Sequence, residues 1–501
     1  MKNNNLISGA LILSVGSMLA KVFSAVYRIV LTRILGGVGI GIYQLIFPLF
    51  SLCVVLSTAG LPMAISKVIA KNKGKEKTVL KKCFMFSAII SLTLSFLLIA
   101  FSKPLALLQG KSDIAICYVI LAPTIIFVSF ASVLRGFFQG KHNFVPSAVS
   151  NIIEQFAKLV LGLVLTLFLI KVSLMTAIIG AVVGIVASEI VSLFVLWLFF
   201  KKHKLKSNSE NVDLKGVFKD IIPITLTNVI LPIATFIDSL LVVNLLSISF
   251  TREMSIFMYG MESGAVSSLV SLPTIFSFAV ASVILPNLTK TNSGFNKNQN
   301  LSFAIKVVLI ICVPCVLCFL LIPNRLIEVL YADRLNGFGV GGLNIAYRLL
   351  SISGLGIIFL AINQIYSSSL QAVDERSVTI RNLLIGVGVK FFIELIFMPS
   401  KLVNIYALAV ANTACYLTVA CLNHFEIRQH FKFNLSFMFA GKLILSNCLM
   451  LAALISVMML GKTWTNTLLA LCVAAIVYLV CLFKFKIFNR KEMATIKFRF
   501  W

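Results

Sequence analysis

Long apolar runs follow one another along nearly the whole chain, each closed by a short polar or glycine-rich break. Fourteen are long enough to be membrane-spanning helices, because about 20 residues rising 1.5 Å each cross a hydrocarbon core. They cover residues 6–31, 41–66, 84–102, 114–138, 145–170, 174–200, 220–247, 263–288, 300–322, 343–370, 378–399, 403–423, 437–460 and 465–483. The expected fold class is an all-α polytopic membrane protein of about fourteen transmembrane helices. The connections leave no room for an ATP-binding or extramembrane catalytic domain, and no G-x-x-x-x-G-K-[ST] phosphate loop occurs.

Polar positions inside these runs carry the chemistry. In the first span, Leu6 to Leu31, the residues Ser14, Ser17, Lys21, Ser24 and Arg28 follow a 3,4,3,4 spacing that puts them on one helical stripe. A lysine facing lipid at that depth costs about 2.5 kcal/mol or more. The stripe therefore faces protein or a water-filled cavity, and a cationic cavity attracts an anion. Arg28, near the far end, has the alternative of snorkelling to headgroups. Span five carries its own stripe, Ser147, Asn151, Glu154 and Lys158, and span seven places Asn228, Thr235 and Asp238 on one face.

The basic residues expected to be buried are Lys21, Arg28, Lys67, Lys158, Lys306, Arg348 and Lys390, set against the anions Glu154, Glu189, Asp238 and Glu394. Lys67 and Lys306 lie near cytoplasmic ends and read as snorkelling. Lys158 and Lys390 lie deep, each with a carboxylate one turn away on its own helix, Glu154 and Glu394. Two readings stay open for them: a neutralised structural ion pair, or a tuned cation whose partner moderates an empty cavity. The positive excess lies mostly in the first five spans, the reverse of what an exporter of cationic drugs needs.

Proline interrupts several spans: Pro48 and Pro62 in the second, Pro223 and Pro232 in the seventh, Pro273 in the eighth. Broken helices in lipid need neighbours or a cavity to rescue the freed carbonyls, so these spans are candidate cavity linings or hinges. A faint repeat at a shift of 232 residues pairs Gln139 with Gln371 and Lys158 with Lys390, with the turns at 140–143 and 372–375 in register. The corresponding division is a six-helix lobe with a basic linker (1–218), a second six-helix lobe (219–432), and two extra helices with a basic tail (433–501). Parallel halves of this kind are a familiar transporter plan.

Composition sharpens the class. The chain of 501 residues is 59% hydrophobic and 12% charged, with mean hydropathy +1.02 and net charge +27. With the N-terminus inside, most of the 44 basic residues fall on the cytoplasmic side, the richest runs being 71–82, 201–219 and 484–499. That asymmetry predicts both termini in the cytoplasm. The basic runs lack interleaved aromatics and no nucleic-acid-binding signature occurs, so no nucleic-acid partner is expected. Eleven cysteines are scattered mostly in apolar segments. Cys312, Cys315 and Cys318 run at threes, but no histidine completes a metal set, and they read as small buried hydrophobes. No catalytic or metal-binding residue is expected. The first apolar run is long and no A-x-A site follows it, so it is expected to stay in the mature protein.

Four stretches carry a resemblance: Tyr27 to Phe50, Ser57 to Ala70, Arg135 to Gln155 and Pro223 to Leu246. They resemble the stage V sporulation protein B group of the multidrug/oligosaccharidyl-lipid/polysaccharide (MOP) superfamily, beside the MurJ-type lipid II flippases. The resemblance implies two six-helix lobes in a V around a central cationic cavity, with spans thirteen and fourteen forming a lipid-facing groove. It implies an alternating-access flippase of the bacterial plasma membrane. The cargo would be an undecaprenyl-pyrophosphate-linked precursor, lipid II or a related oligosaccharide, with spore cortex peptidoglycan as one destination. Those flippases hold the pyrophosphate with basic residues of the first, second and eighth helices. Lys21 matches the first such position and Arg28 falls beside the next, whereas span eight has no basic residue between Glu262 and Thr289.

The expected pyrophosphate ligands are thus Lys21, Arg28, Lys158 and Lys390. The expected cavity wall comprises Ser17, Ser24, Asn151, Glu154, Asn228, Asp238 and Glu394. No cofactor is expected; the driving force is left between the membrane potential and a coupling ion, Na+ or H+, near Asp238, Glu189 or Glu394. Expected partners are the lipid-linked saccharide, membrane lipids and the cell-wall synthesis machinery, and the expected state is a monomer. Two rivals remain: a cation-coupled multidrug exporter on the same scaffold, and a non-transporting scaffold in envelope or spore assembly. An integral glycosyltransferase fits poorly, since clustered carboxylates at a membrane face are missing beyond Val373 to Glu375.

Overall fold

A computed structural model describes residues 2–71, 74–203, 215–290, 294–331, 335, 340–461 and 463–487. The basic runs at 71–82, 201–219 and 484–499 therefore lie partly outside the described residues. Among the described residues all regular structure is helical, as lipid demands of segments that must satisfy their own backbone groups. The first seven helices are α1 (Lys2–Thr58), α2 (Leu61–Lys71), α3 (Glu76–Ala100), α4 (Ser102–Leu108), α5 (Ala115–Gly140), α6 (Val145–Leu169) and α7 (Leu174–Lys201). Next come α8 (Lys215–Leu246), α9 (Arg252–Gly260), α10 (Ser267–Lys290), α11 (Gly294–Leu321) and α12 (Pro323–Tyr331). The last five are α13 (Val340–Ala372), α14 (Arg376–Phe397), α15 (Tyr406–His430), α16 (Phe437–Met458) and α17 (Trp464–Lys484).

Twelve described stretches of helix are long and apolar enough to cross a membrane. The protein is a multi-pass membrane protein. Two places account for the difference from fourteen. The first two expected spans fall in one stretch, Ile12–Ala70, in which two helical segments join at a kink, the non-helical Gly36. The eleventh is α14, which is 22 residues long but carries Arg381, Lys390 and Glu394.

The chain forms two compact units. One comprises Met1–Ile275, Arg334–Ala346 and Val387–Ala411, the other Phe276–Asp333, Tyr347–Gly386 and Asn412–Trp501. In the first, α6 packs on α7 and α1, and α5 packs on α2, α3 and α7. The long α1 bends at Gly36, whose backbone sits at φ 66° and ψ −175°, a region open essentially to glycine alone. Gly36→Ala is expected to lower stability by about 1–3 kcal/mol, read as a drop in the unfolding midpoint of the purified protein. Beyond the bend, α1 crosses α9 backbone to backbone. A Cβ on Gly260 would stand 2.4 Å from the Gly37 carbonyl oxygen, and one on Gly41 would stand 2.2 Å from that of Ile256. Small residues at such crossings are how helices approach closely in lipid.

Of the prolines, Pro48 lies inside α1, while Pro62 sits in the first turn of α2, where a missing N–H costs nothing. The irregularity in span eight is not at Pro273. It is a π-turn, Met261–Val266, joining α9 to α10. Gln44 of α1 donates to the Ser263 carbonyl within that turn at 2.6 Å.

The faint repeat has a backbone counterpart. His142 and Asp374, 232 positions apart, are both non-glycine residues with positive φ, 58° and 63°. Around them the turn hydrogen bonds match one for one. His142 N donates to Gln139 O and Asn143 N to Phe138 O; Asp374 N donates to Gln371 O and Glu375 N to Leu370 O. The turns between α5 and α6 and between α13 and α14 are therefore the same local structure.

In the second unit, α16 packs along α17 and Tyr478 donates to the Ile310 carbonyl at 2.7 Å. Between α11 and α16 runs an apolar groove of about 570 Å3, lined by Leu309, Val313, Leu317, Ala440, Ile444 and Leu451 among others.

Candidate anion-binding site

The first unit gathers charge where α1, α5, α6 and α7 meet. Lys158, on α6, points its Nζ at two rings of α1: 5.2 Å from the Tyr27 centroid and 4.8 Å from that of Phe47. Such contacts attract an ammonium by about 0.5–2 kcal/mol each. Arg28 of α1 lies within electrostatic reach of Lys158, as do Glu154 and Glu189. No carboxylate among the described residues comes within 4.0 Å of Lys158 Nζ, so none forms an ion pair with it. Lys21, Arg28, Ser17 and Ser24 of α1 and Asn151 of α6 are all half-buried. The two stripes expected from spacing thus belong to packed helices, and the structure brings Arg28 and Lys158 together from separate ones.

Glu154 does not pair with Lys158. It turns to Arg135 of α5, whose Nη2 donates to Glu154 Oε2 at 2.7 Å and to Ser192 Oγ at 2.9 Å. Ser192 Oγ in turn donates to Glu154 Oε2 at 3.2 Å, and Gln155 Nε2 donates to Glu154 Oε1 at 2.9 Å. Arg135 Nε reaches Ser150 Oγ at 3.4 Å. Glu189 of α7 faces Glu154, Arg135 and Lys158, with its Oε2 buried and without a hydrogen-bond partner. Arg28, Arg135, Glu154 and Glu189 thus surround Lys158, and Lys21 stands two turns along the α1 stripe.

Lys390 is placed differently. It is buried, its Nζ bonded to Asp238 Oδ2 of α8 and 3.8 Å from Glu394 Oε1 on its own helix. Asp238 Oδ1 and both oxygens of Glu394 are buried without hydrogen-bond partners. This is a sealed ion pair in protein interior, so the structure separates Lys390 from the cluster around Lys158. Asn228 is exposed on α8.

Sequence reasoning missed Arg135, the residue that claims Glu154. It also missed Gln109, buried at the end of α4, which donates to the Leu45 carbonyl and to Ser239 Oγ, each at 2.9 Å. A charged residue inside span four was the one available signal for Arg135.

The sequence pattern of the family described as polysaccharide biosynthesis protein matches residues 6–292, more than half of the chain. The chain belongs to that family. Stage V sporulation protein B of Bacillus subtilis (strain 168) is 24% identical over 446 residues, covering 84% of this chain and 83% of that protein. Lipid II flippase MurJ of the same organism is 23% identical over 460 residues, covering 85% and 83%. The solved inward closed conformation of lipid II flippase MurJ superposes with a TM-score of 0.74 at 18% identity, covering 94% of this chain and 97% of that one. An inward-facing multidrug resistance MATE family transporter of the MOP superfamily gives 0.67 at 16% identity, covering 84% and 97%. This family member therefore has the MurJ- and MATE-like fold, and the resemblance to the stage V sporulation protein B group holds.

Proposed function

We propose that the protein is an alternating-access flippase that carries an undecaprenyl-pyrophosphate-linked cell-wall precursor from the inner to the outer leaflet. The observation that carries this reading is Lys158 beside Arg28, two cations from separate helices with Lys158 held by aromatic rings instead of a carboxylate. A diphosphate supplies the missing negative charge. Lys21, on the same α1 stripe, extends the site along the path, and each charge-assisted contact contributes about 1.5–3 kcal/mol. We assign Lys390 to its buried contact with Asp238 and not to the headgroup. The apolar groove between α11 and α16 suits the polyprenyl tail, which stays in an oily environment while the headgroup crosses.

The basic runs place both termini in the cytoplasm on this reading. An anionic headgroup leaving a negative interior moves down the membrane potential, which supplies about 2.3 kcal/mol per charge at 100 mV. The test is translocation of a labelled lipid-linked pyrophosphate in vesicles. Lys21→Ala and Lys158→Ala are each expected to slow it about tenfold or more at equal folded protein. Unchanged transport in both would remove the proposal.

A further inference from the structure

We propose that Arg135 is a positioning residue: by holding Glu154 against Ser192 it keeps that carboxylate off Lys158, leaving the ammonium for the anionic headgroup. This rests on the reading of Lys158 as a headgroup ligand. Glu154 precedes Lys158 by four residues on α6, the spacing and order at which a carboxylate and an ammonium meet best on a helix. Left to themselves the two would pair, and an incoming diphosphate would have to displace the carboxylate.

The structure shows the pairing averted. Glu154 accepts from Arg135, Ser192 and Gln155 and forms no ion pair with Lys158. Lys158 rests on Tyr27 and Phe47, contacts that an anion can replace without stranding a charge. Glu189, the other carboxylate in electrostatic reach, also lies beyond ion-pair distance. Arg135 is suited to the task because its planar fork serves Glu154 and Ser192 from one nitrogen and Ser150 from another.

The internal repeat shows the same lysine position in a different setting. The counterpart of Lys158 is Lys390, and the position 232 residues after Arg135 is Ser367, which has no charge to offer. There the lysine is consumed: it bonds Asp238 and lies 3.8 Å from Glu394 on its own helix. The position matching Glu154 is Gly386, so the arrangement of arginine, upstream glutamate and lysine occurs in the first repeat and not in the second.

The experiment measures affinity for undecaprenyl pyrophosphate in detergent micelles, by calorimetry on the purified full chain. Arg135→Gln is expected to weaken binding about tenfold, and the double variant Arg135→Gln with Glu154→Gln to return it to within about twofold of wild type. Arg135→Lys keeps a cation for Glu154 and so folds; it falls between, two- to threefold weaker by the same reasoning, and is likewise returned by Glu154→Gln. If Arg135→Gln yields no folded protein, the Arg135→Lys pair decides in the same way. Weakening that Glu154→Gln does not rescue would make Arg135 a structural residue or a direct ligand and overturn the proposal. So would unchanged binding in the arginine variants while Lys158→Ala binds weakly. Unchanged binding in Lys158→Ala would instead overturn the reading beneath it.

Discussion

Replacing Lys390 with Met is expected to lower the free energy of unfolding by about 3–5 kcal/mol, the range found when one member of a buried ion pair is removed. Asp238, Lys390 and Glu394 are 7%, 6% and 0% exposed, so water cannot solvate what the substitution leaves behind. Two carboxylates would then share a dry interior with no cation, three of their four oxygens already lacking hydrogen-bond partners. Adding Asp238→Asn and Glu394→Gln to the same chain is expected to recover most of the loss, because neutral amides carry a far smaller desolvation cost. Thermal or denaturant unfolding of the purified variants checks both expectations. A Lys390→Met protein as stable as wild type would mean that the contact with Asp238 is not the buried pair described.

Charge reversal at Lys158 has the largest expected effect on transport. Lys158→Glu removes a charge-assisted contact of about 1.5–3 kcal/mol and adds a repulsion of similar size against a diphosphate. Together these slow translocation of the lipid-linked precursor at least about a hundredfold. Stability should fall by about 1–4 kcal/mol, since the side chain gives up two ring contacts of about 0.5–2 kcal/mol each. Vesicle translocation alongside an unfolding midpoint separates the two effects.

Much of the architecture is legible because lipid permits so few solutions. A run such as 84–102 or 114–138 has no alternative to a helix, and α3 and α5 follow those runs closely. Boundaries fail where the local rule is ambiguous. The break at 32–40 carries glycines at 36, 37 and 39 and reads as a loop. The structure keeps it helical because those glycines serve close helix contacts, and only Gly36 breaks the run.

The charge pairings were less readable, for a different reason. Spacing along one helix names the nearest carboxylate, and for Lys158 that is Glu154. The true partner of Glu154 comes from α5, which the sequence cannot set beside α6 and α7. Arg135, six residues before Lys141, looks like one more basic residue near a cytoplasmic turn. Lys390 likewise bonds Asp238, 152 positions away, while its nearer neighbour Glu394 stands farther off. The repeat at 232 was visible as two coincident polar residues and became firm through the paired backbone of His142 and Asp374.

Tyr27 and Phe47 grip Lys158 from opposite sides of Gly36, so the hold depends on the angle of a single joint. Opening that joint withdraws one ring, and drawing the ammonium away unloads the joint. On the proposed reading, an anion that frees Lys158 from its rings would by reciprocal linkage change how readily the first helix bends. Curvature and occupancy are then one variable, written into a residue that touches neither the lysine nor the cargo.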